Sequence, residues 1–293
     1  MKPAPFEYHA PATLDEALAL LRRYGGDAKV IAGGQSLVPM LAMRLARPAA
    51  LVDLNRIAGL ERVEVGADRV RFGALARQCV LEENGALGTA QPLLAEIARL
   101  VGHPATRNRG TIAGSIAHGD PAAELPCAML ALEATYRIAG PGGTRAVTAE
   151  RFHVGELTTD LAADEILVSV EAPVPPRGTA HAFLEQTRRF GDFALVAVAV
   201  LATLDGGGRC ARLRVALAGV APTPVRARSV EQALEGERLT PQTIAAAARL
   251  VTGDIDPAGD VHATREYREA MAAVFTRRAL AEAARRAAGG RAA

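Results

Sequence analysis

Tryptophan is absent from this chain, and aromatic residues of all kinds make up only 4% of it. Lysine is nearly absent too: Lys2 and Lys29 are the only two, and the other basic residues are arginines. The net charge of +2 gives no reason to expect a nucleic-acid or membrane-surface partner. Cysteine is scarce. Cys79, Cys127 and Cys210 lie far apart and form no CxxC pair, which argues against an iron–sulfur cluster or a cysteine zinc site on this chain. Unpaired cysteines suit a reducing compartment. Long apolar runs are missing. The longest, Phe193 to Leu204, is too short to cross a bilayer, so no membrane span is expected. The first ten residues lack a basic segment followed by an apolar run, so no signal peptide is expected.

Several chemical signatures are also missing. There is no GxGxxG fingerprint, no GxxxxGK[ST] phosphate loop and no HExxH. His103, His118 and His153 stand alone, without partners at metal-ligand spacing. No serine or cysteine has a local nucleophile signature. The sequence therefore offers no metal site and no catalytic acid, base or nucleophile.

What is present centres on two glycine-bearing stretches, Ala32-Gly33-Gly34-Gln35-Ser36 and Thr111-Ile112-Ala113-Gly114-Ser115. Glycine has no Cβ, so backbone amides in such loops can approach a phosphate closely. Each stretch alone reads equally well as a tight turn. Two in one chain can grip a diphosphate from both sides. Lys29-Val30-Ile31 reads as a strand running into the first loop, and Leu37 to Met43 as a helix leaving it, with Ser36 as N-cap. Glu124 follows the second loop and reads either as an acceptor for sugar hydroxyls or as a solvated loop acid. Arg107 and Arg109 read as neutralisers of phosphate charge or as partners of nearby acids. Phe193 reads as a cover for a flat ring system or as core.

Along the chain, Thr13-Leu14-Asp15-Glu16 is a capping box opening a helix that Gly25-Gly26 ends. Hairpins are expected at 62–72 and 136–147, strands at 50–54 and 165–171, and short helices at 80–83 and 92–101. The glycine- and proline-bearing run from Arg107 to Pro126 reads as extended loop. Pro173 to Gly178 is the best boundary in the chain. Beyond it come three strands (181–187, 193–204, 210–219) and three helices (226–234, 241–251, 264–287), with a frayed tail from Gly289 to Ala293.

The stretches Ala32 to Met40 and Arg107 to Ser115 strongly resemble the FAD-binding medium subunit of molybdenum hydroxylases. The carbon monoxide dehydrogenase type is the nearer relative and the xanthine dehydrogenase type the more distant one. Ala117 to Pro126, Arg188 to Ala194 and Glu266-Tyr267-Arg268 are similar as well. The resemblance implies an α+β fold of the vanillyl-alcohol-oxidase type: FAD-binding subdomains at 1–57 and 58–176, then a C-terminal domain of antiparallel strands and helices at 177–287. It implies that Ala32, Gly33, Gly34, Gln35, Ser36 and Leu37 bind FAD together with Thr111, Ile112, Ala113, Gly114 and Ser115. It places Glu124 on cofactor hydroxyls and Leu167 and Phe193 near the flavin. Phe193 stands where the carbon monoxide type often has tyrosine, and Gln35 where it usually has histidine.

The partners implied are a large subunit with the molybdenum cofactor and a small subunit with two [2Fe–2S] clusters, assembled as a dimer of heterotrimers. The implied role is electron transfer through FAD to quinone, oxygen or NAD, in the cytoplasm or peripheral at the inner face of the membrane. A flavin-free scaffold and a self-sufficient FAD oxidoreductase are the alternatives.

Overall fold

The computed structural model describes residues 2–289. The first sheet is parallel, with strands β1 (Glu7–His9), β2 (Ala28–Ile31) and β3 (Ala50–Asp53) in the order β1-β3-β2. Parallel neighbours need crossovers. Helix α1 (Leu14–Tyr24) makes the first, opened by the Thr13–Glu16 capping box and burying Ala17, Leu18 and Leu21. The first glycine loop and α2 (Leu37–Ala42) make the second. This topology puts Ala32–Ser36 at the carboxyl end of β2, beside the carboxyl end of β3. Open α/β sheets place their ligands at such an edge.

The second sheet is antiparallel. It contains β4 (Val63–Val65), β5 (Arg69–Gly73), β6 (Thr135–Gly140) and β7 (Gly143–Thr148). A small pair, β8 (His153–Gly155) and β9 (Thr158–Thr159), precedes its last strand, β10 (Ile166–Pro173). The order is β4-β5-β10-β6-β7. Six short helices lie between β5 and β6: α3 (Val80–Glu83), α4 (Gly85–Ala90), α5 (Pro92–Ala98), α6 (Pro104–Arg107), α7 (Ile112–His118) and α8 (Glu124–Ala131). A further short helix, α9 (Ala149–Phe152), follows β7 and sets Phe152 edge-on to Tyr136 at 4.8 Å.

The third sheet is a meander of β11 (Ala180–Gln186), β12 (Val196–Leu204), β13 (Cys210–Ala218) and β14 (Val225–Arg226). Helices α10 (Arg228–Leu234), α11 (Pro241–Ala248) and α12 (Arg265–Gly289) cover one side of it. The other side packs against α5 and α8 of the amino-terminal half. Along β12, Val196, Val198 and Val200 enter the core under these helices, whereas Ala197, Ala199 and Leu201 enter the amino-terminal core. Both faces are buried, which explains why β12 is apolar without alternation.

Ionic ties join the two halves. Glu133, at φ 55°, receives Arg214 at 2.6 Å and Arg226 at 3.4 Å, with Arg212 also bonded to it. Glu96 of α5 pairs with Arg286 of α12 at 2.6 Å.

The structure corrects the reading of 107–126 as extended loop. Residues 112–118 and 124–131 are helical. Thr111 caps α7 by accepting from the Gly114 amide at 2.9 Å, and Gly119, at φ 69°, ends it. Helix α8 is buried at every position, so its sequence carries no polar face to mark a helical period. Ser36 is not a side-chain cap: it is already helical, and the turn starts with the Val38 amide on the Gly34 carbonyl at 2.9 Å. Arg226 belongs to β14, and β12 begins at Val196, leaving Phe193 in the preceding loop. Of the expected frayed tail, Gly289 closes α12 and residues 290–293 lie outside the described residues.

Candidate functional site

The two glycine loops meet. A β-carbon on Gly33 would lie 2.3 Å from the Arg109 carbonyl oxygen and 2.7 Å from the Gly110 Cα. Only glycine permits that approach. Gly34 is held at φ 72°, in the left-handed region. The turn leaves the amides of Gly33, Gly34, Gln35, Ser36 and Leu37 without a hydrogen-bond partner among the described residues. Unpaired main-chain donors in a concave turn form a nest for an anion. The turn opens onto a cavity of about 360 Å³ lined by Ile31 to Gln35, Val38, Pro39, Asp53, Asn55 and Arg109.

A hydrogen-bonded strut fixes the spacing between the loops. Arg77 donates to the Arg109 carbonyl and, at 2.6 Å, to Asn55 Oδ1. Asn55 Nδ2 in turn donates to the Ala32 carbonyl at 2.7 Å. Asp53 orients Asn55, accepting from its amide at 2.9 Å, and is itself held by the Tyr8 hydroxyl at 2.5 Å. Burial works against ionisation of Asp53, but these hydrogen bonds outweigh it and hold the carboxyl below the usual aspartate range. Burial, with Arg109 close by, lowers the Arg77 pKa. None of Asp53, Asn55 and Arg77 was singled out in the sequence. Their available signal is position: Asp53 and Asn55 sit at the carboxyl end of a parallel strand, next to the loop.

The second stretch is less open than its composition suggests. The Ile112 amide bonds to Ala76 O at 3.0 Å, Gly114 to the Thr111 side chain, and Ser115 to Thr111 O at 3.1 Å. The Ala113 amide alone among Ile112 to Ser115 is unpartnered in the described structure. Thr111 to Ser115 adjoin the cavity through Arg109 and Gly110 and are not among its lining residues; nor are Glu124, Leu167 and Phe193. Glu124 is not a solvated loop acid: it is 4% exposed, and burial, with repulsion from Asp120, pushes its carboxyl up to about 7. Leu167 is buried in the amino-terminal core. Phe193 is 56% exposed, so it is not core, and Phe190 beside it is also exposed. Arg107 is buried and paired with Glu82 at 2.9 Å, whereas Arg109 reaches the cavity.

Residues 4–175 match the family described as the FAD binding domain in molybdopterin dehydrogenase. The chain belongs to this family of flavoprotein subunits. Residues 181–283 match the C-terminal domain of carbon monoxide dehydrogenase flavoproteins. Among this family's characterised members, the chain is 39% identical to the 6-hydroxypseudooxynicotine dehydrogenase complex subunit alpha of Paenarthrobacter nicotinovorans, over 98% of this chain and 97% of that protein. It is 39% identical to the carbon monoxide dehydrogenase medium chain of Hydrogenophaga pseudoflava, over 96% and 97% of the two chains. Among solved structures, carbon monoxide dehydrogenase from Hydrogenophaga pseudoflava superposes with a TM-score of 0.95 at 40% identity, covering 98% of this chain and 99% of that one. Quinoline 2-oxidoreductase from Pseudomonas putida 86 superposes with a TM-score of 0.93 at 39% identity, over 98% and 99%. The α+β FAD-binding fold and the flavoprotein assignment follow from these matches. No helix among the described residues is long and apolar enough to cross a membrane.

Proposed function

We propose that this chain is the FAD-carrying electron-transfer subunit of a molybdenum hydroxylase. It would take electrons from [2Fe–2S] clusters of a small subunit and deliver them to a quinone, oxygen or NAD. Substrate oxidation would occur at the molybdenum cofactor of a large subunit, in a dimer of heterotrimers. Family membership supports the FAD role. The observation that carries the site assignment is the row of unspent amides at Gly33–Leu37, held against Arg109–Gly110 by a contact only glycine allows. Such a cradle suits a diphosphate.

On this reading the first loop (Ala32 to Leu37) and the second (Thr111 to Ser115) hold the FAD diphosphate, and Arg109 at the cavity wall offsets its charge. When bound, the isoalloxazine supplies the redox chemistry; the protein binds and orients it. Glu124 accepts from cofactor hydroxyls. Its carboxyl, at about 7, can also hold a proton near neutrality. Leu167 and Phe193 contact the flavin half, and the exposed ring of Phe193 is free to lie against it. No residue is assigned as general acid, base or nucleophile.

The test is the visible spectrum of the purified chain after incubation with FAD or with FMN, each followed by desalting. Retention of FAD and not FMN is expected. Equal retention of both would remove the diphosphate loops from the site. Retention of neither, in the co-expressed complex as well, would favour a flavin-free scaffold.

A further inference from the structure

The two faces of the first sheet are covered unequally. Its first crossover runs from β1 past β3 to β2, and its second returns from β2 to β3. Right-handed crossovers then place α1 and α2 on opposite faces. Helix α1 buries Ala17, Leu18 and Leu21 in one core with Ala28, Ala50 and Val52. The opposite face carries Tyr8, Leu51 and Lys29, which stand side by side in the ladder. Its helix, α2, has six residues and buries one side chain, Leu41. Tyr8, Val38, Met43 and Leu45 are each half exposed or more, Leu45 at 71%. A parallel sheet ordinarily has both faces buried, so this face lacks part of its cover.

The turn after α2 fixes this surface. The Leu45 amide bonds to Met40 O at 2.9 Å and the Arg44 amide to Leu41 O at 3.0 Å, the pattern of a Schellman end. Its left-handed position is Arg44, at φ 59°, where glycine is usual. Arg44 Nε donates to Lys2 O at 3.2 Å, and Arg47 Nε to Arg44 O at 3.0 Å. Lys2, Lys29, Arg44 and Arg47 form no ion pair among the described residues, and Lys2 and Lys29 are the only lysines of the chain. Asp53, on the same face, is taken up by Tyr8 and Asn55, and Glu7 turns to Tyr24 of α1. We propose that Tyr8 and the α2 turn, rimmed by Lys2, Lys29, Arg44 and Arg47, form a docking surface for a partner subunit that presents carboxylates around an apolar centre. Charge decides the occupant. A second copy of this chain would set the same cations against one another, whereas an acidic partner pairs them. The proposal rests on the reading of this chain as one subunit of a molybdenum hydroxylase and names the surface by which it joins.

The experiment is a binding titration of the full chain against the co-purified large and small subunits, at low and high salt. The variants are Leu45→Asp and the double variant Lys29→Glu/Arg47→Glu, with Leu250→Asp, exposed in the C-terminal half, as control. Both test variants are expected to keep the wild-type melting temperature, because their side chains face solvent, and to weaken assembly by about tenfold or more at low salt. Wild-type association should weaken as salt rises, and the control should bind as wild type does. Wild-type affinity in both test variants would overturn the proposal, as would an equal loss in the control. Size-exclusion chromatography of the chain alone and flotation with phosphatidylglycerol vesicles test the other occupants. A wild-type dimer that Leu45→Asp splits would give the face to a second copy. Vesicle binding lost in variants that still assemble would give it to a membrane, and either result would overturn the proposal. Wild type that does not join the two subunits at all would overturn the subunit reading itself, a result distinguishable from the others.

Discussion

Gly33 and Arg109 touch so closely that the smallest side chain cannot be placed between them: a β-carbon at Gly33 would stand 2.3 Å from the Arg109 carbonyl. Arg77 donates to that same carbonyl, so it cannot retreat without breaking the strut to Asn55. Gly33→Ala must therefore push the two loops apart. FAD affinity should fall by roughly a hundredfold, on the ~3 kcal/mol scale of an overpacked contact. Flavin fluorescence titration measures it. Gly26→Ala is the control, since nothing lies within 4 Å of a β-carbon there. Wild-type affinity in Gly33→Ala would contradict the contact.

Phe193 is more than half exposed, and its neighbour Phe190 is exposed as well. Phe193→Ala should leave the melting temperature almost unchanged, within about 0.5 kcal/mol of stability. The loss should appear in FAD affinity instead, by about two- to tenfold, the worth of one aromatic contact. A large drop in melting temperature would show that Phe193 serves the fold.

Arg268 of α12 is buried and donates to Leu195 O at 2.6 Å, Gly219 O at 2.9 Å and Asp260 Oδ2 at 2.8 Å. The Gly219 amide bonds across to Pro121 O at 2.8 Å, in the segment leading to Glu124. Arg268→Met should destabilise the protein by roughly 2–4 kcal/mol, because the carbonyls lose their donor in a buried place. Chemical denaturation of variant and wild type reads the difference. An unchanged midpoint would mean that these three bonds contribute nothing net.

Glu124 and Glu185 give a pH signature with a definite sign. Their folded pKa values, about 7 and about 8, lie above the ordinary glutamate value of 4.5. The folded state then binds more protons than the unfolded state between about pH 4.5 and 8, so these groups lower stability as pH rises. Glu185→Gln removes one of them. Its melting temperature should match wild type near pH 5 and exceed it by on the order of 2–6 °C at pH 8.5. A constant offset across the range would show that Glu185 does not titrate in this window.

The sequence announced its local devices well. Thr13 and Glu16 form the reciprocal cap that their spacing required, and the hairpins around Gly66 and Gly142 form where alternation placed them. Each depends on residues a few positions apart. The strut from Arg77 to Asn55 joins residues 22 apart, and the close approach of Gly33 to Arg109 spans a longer interval. No pattern of spacing carries such pairings. Helix α8 was missed for a different reason. A helix buried on all sides has no polar stripe, and its opening acid, Glu124, looks like any loop carboxylate until its surroundings are seen.

Main-chain amides have no pKa and no side-chain identity. The amides of Gly33 to Leu37 thus offer an anion the same donors at any pH the fold survives. The residues that carry those amides are correspondingly free to differ in side chain. Gln35 spends its side-chain Nε2 on the Gly33 carbonyl at 3.1 Å, bracing the turn from within. Another side chain there would leave the main-chain donors in place. Gly33, which contributes no side chain, is the position that cannot drift.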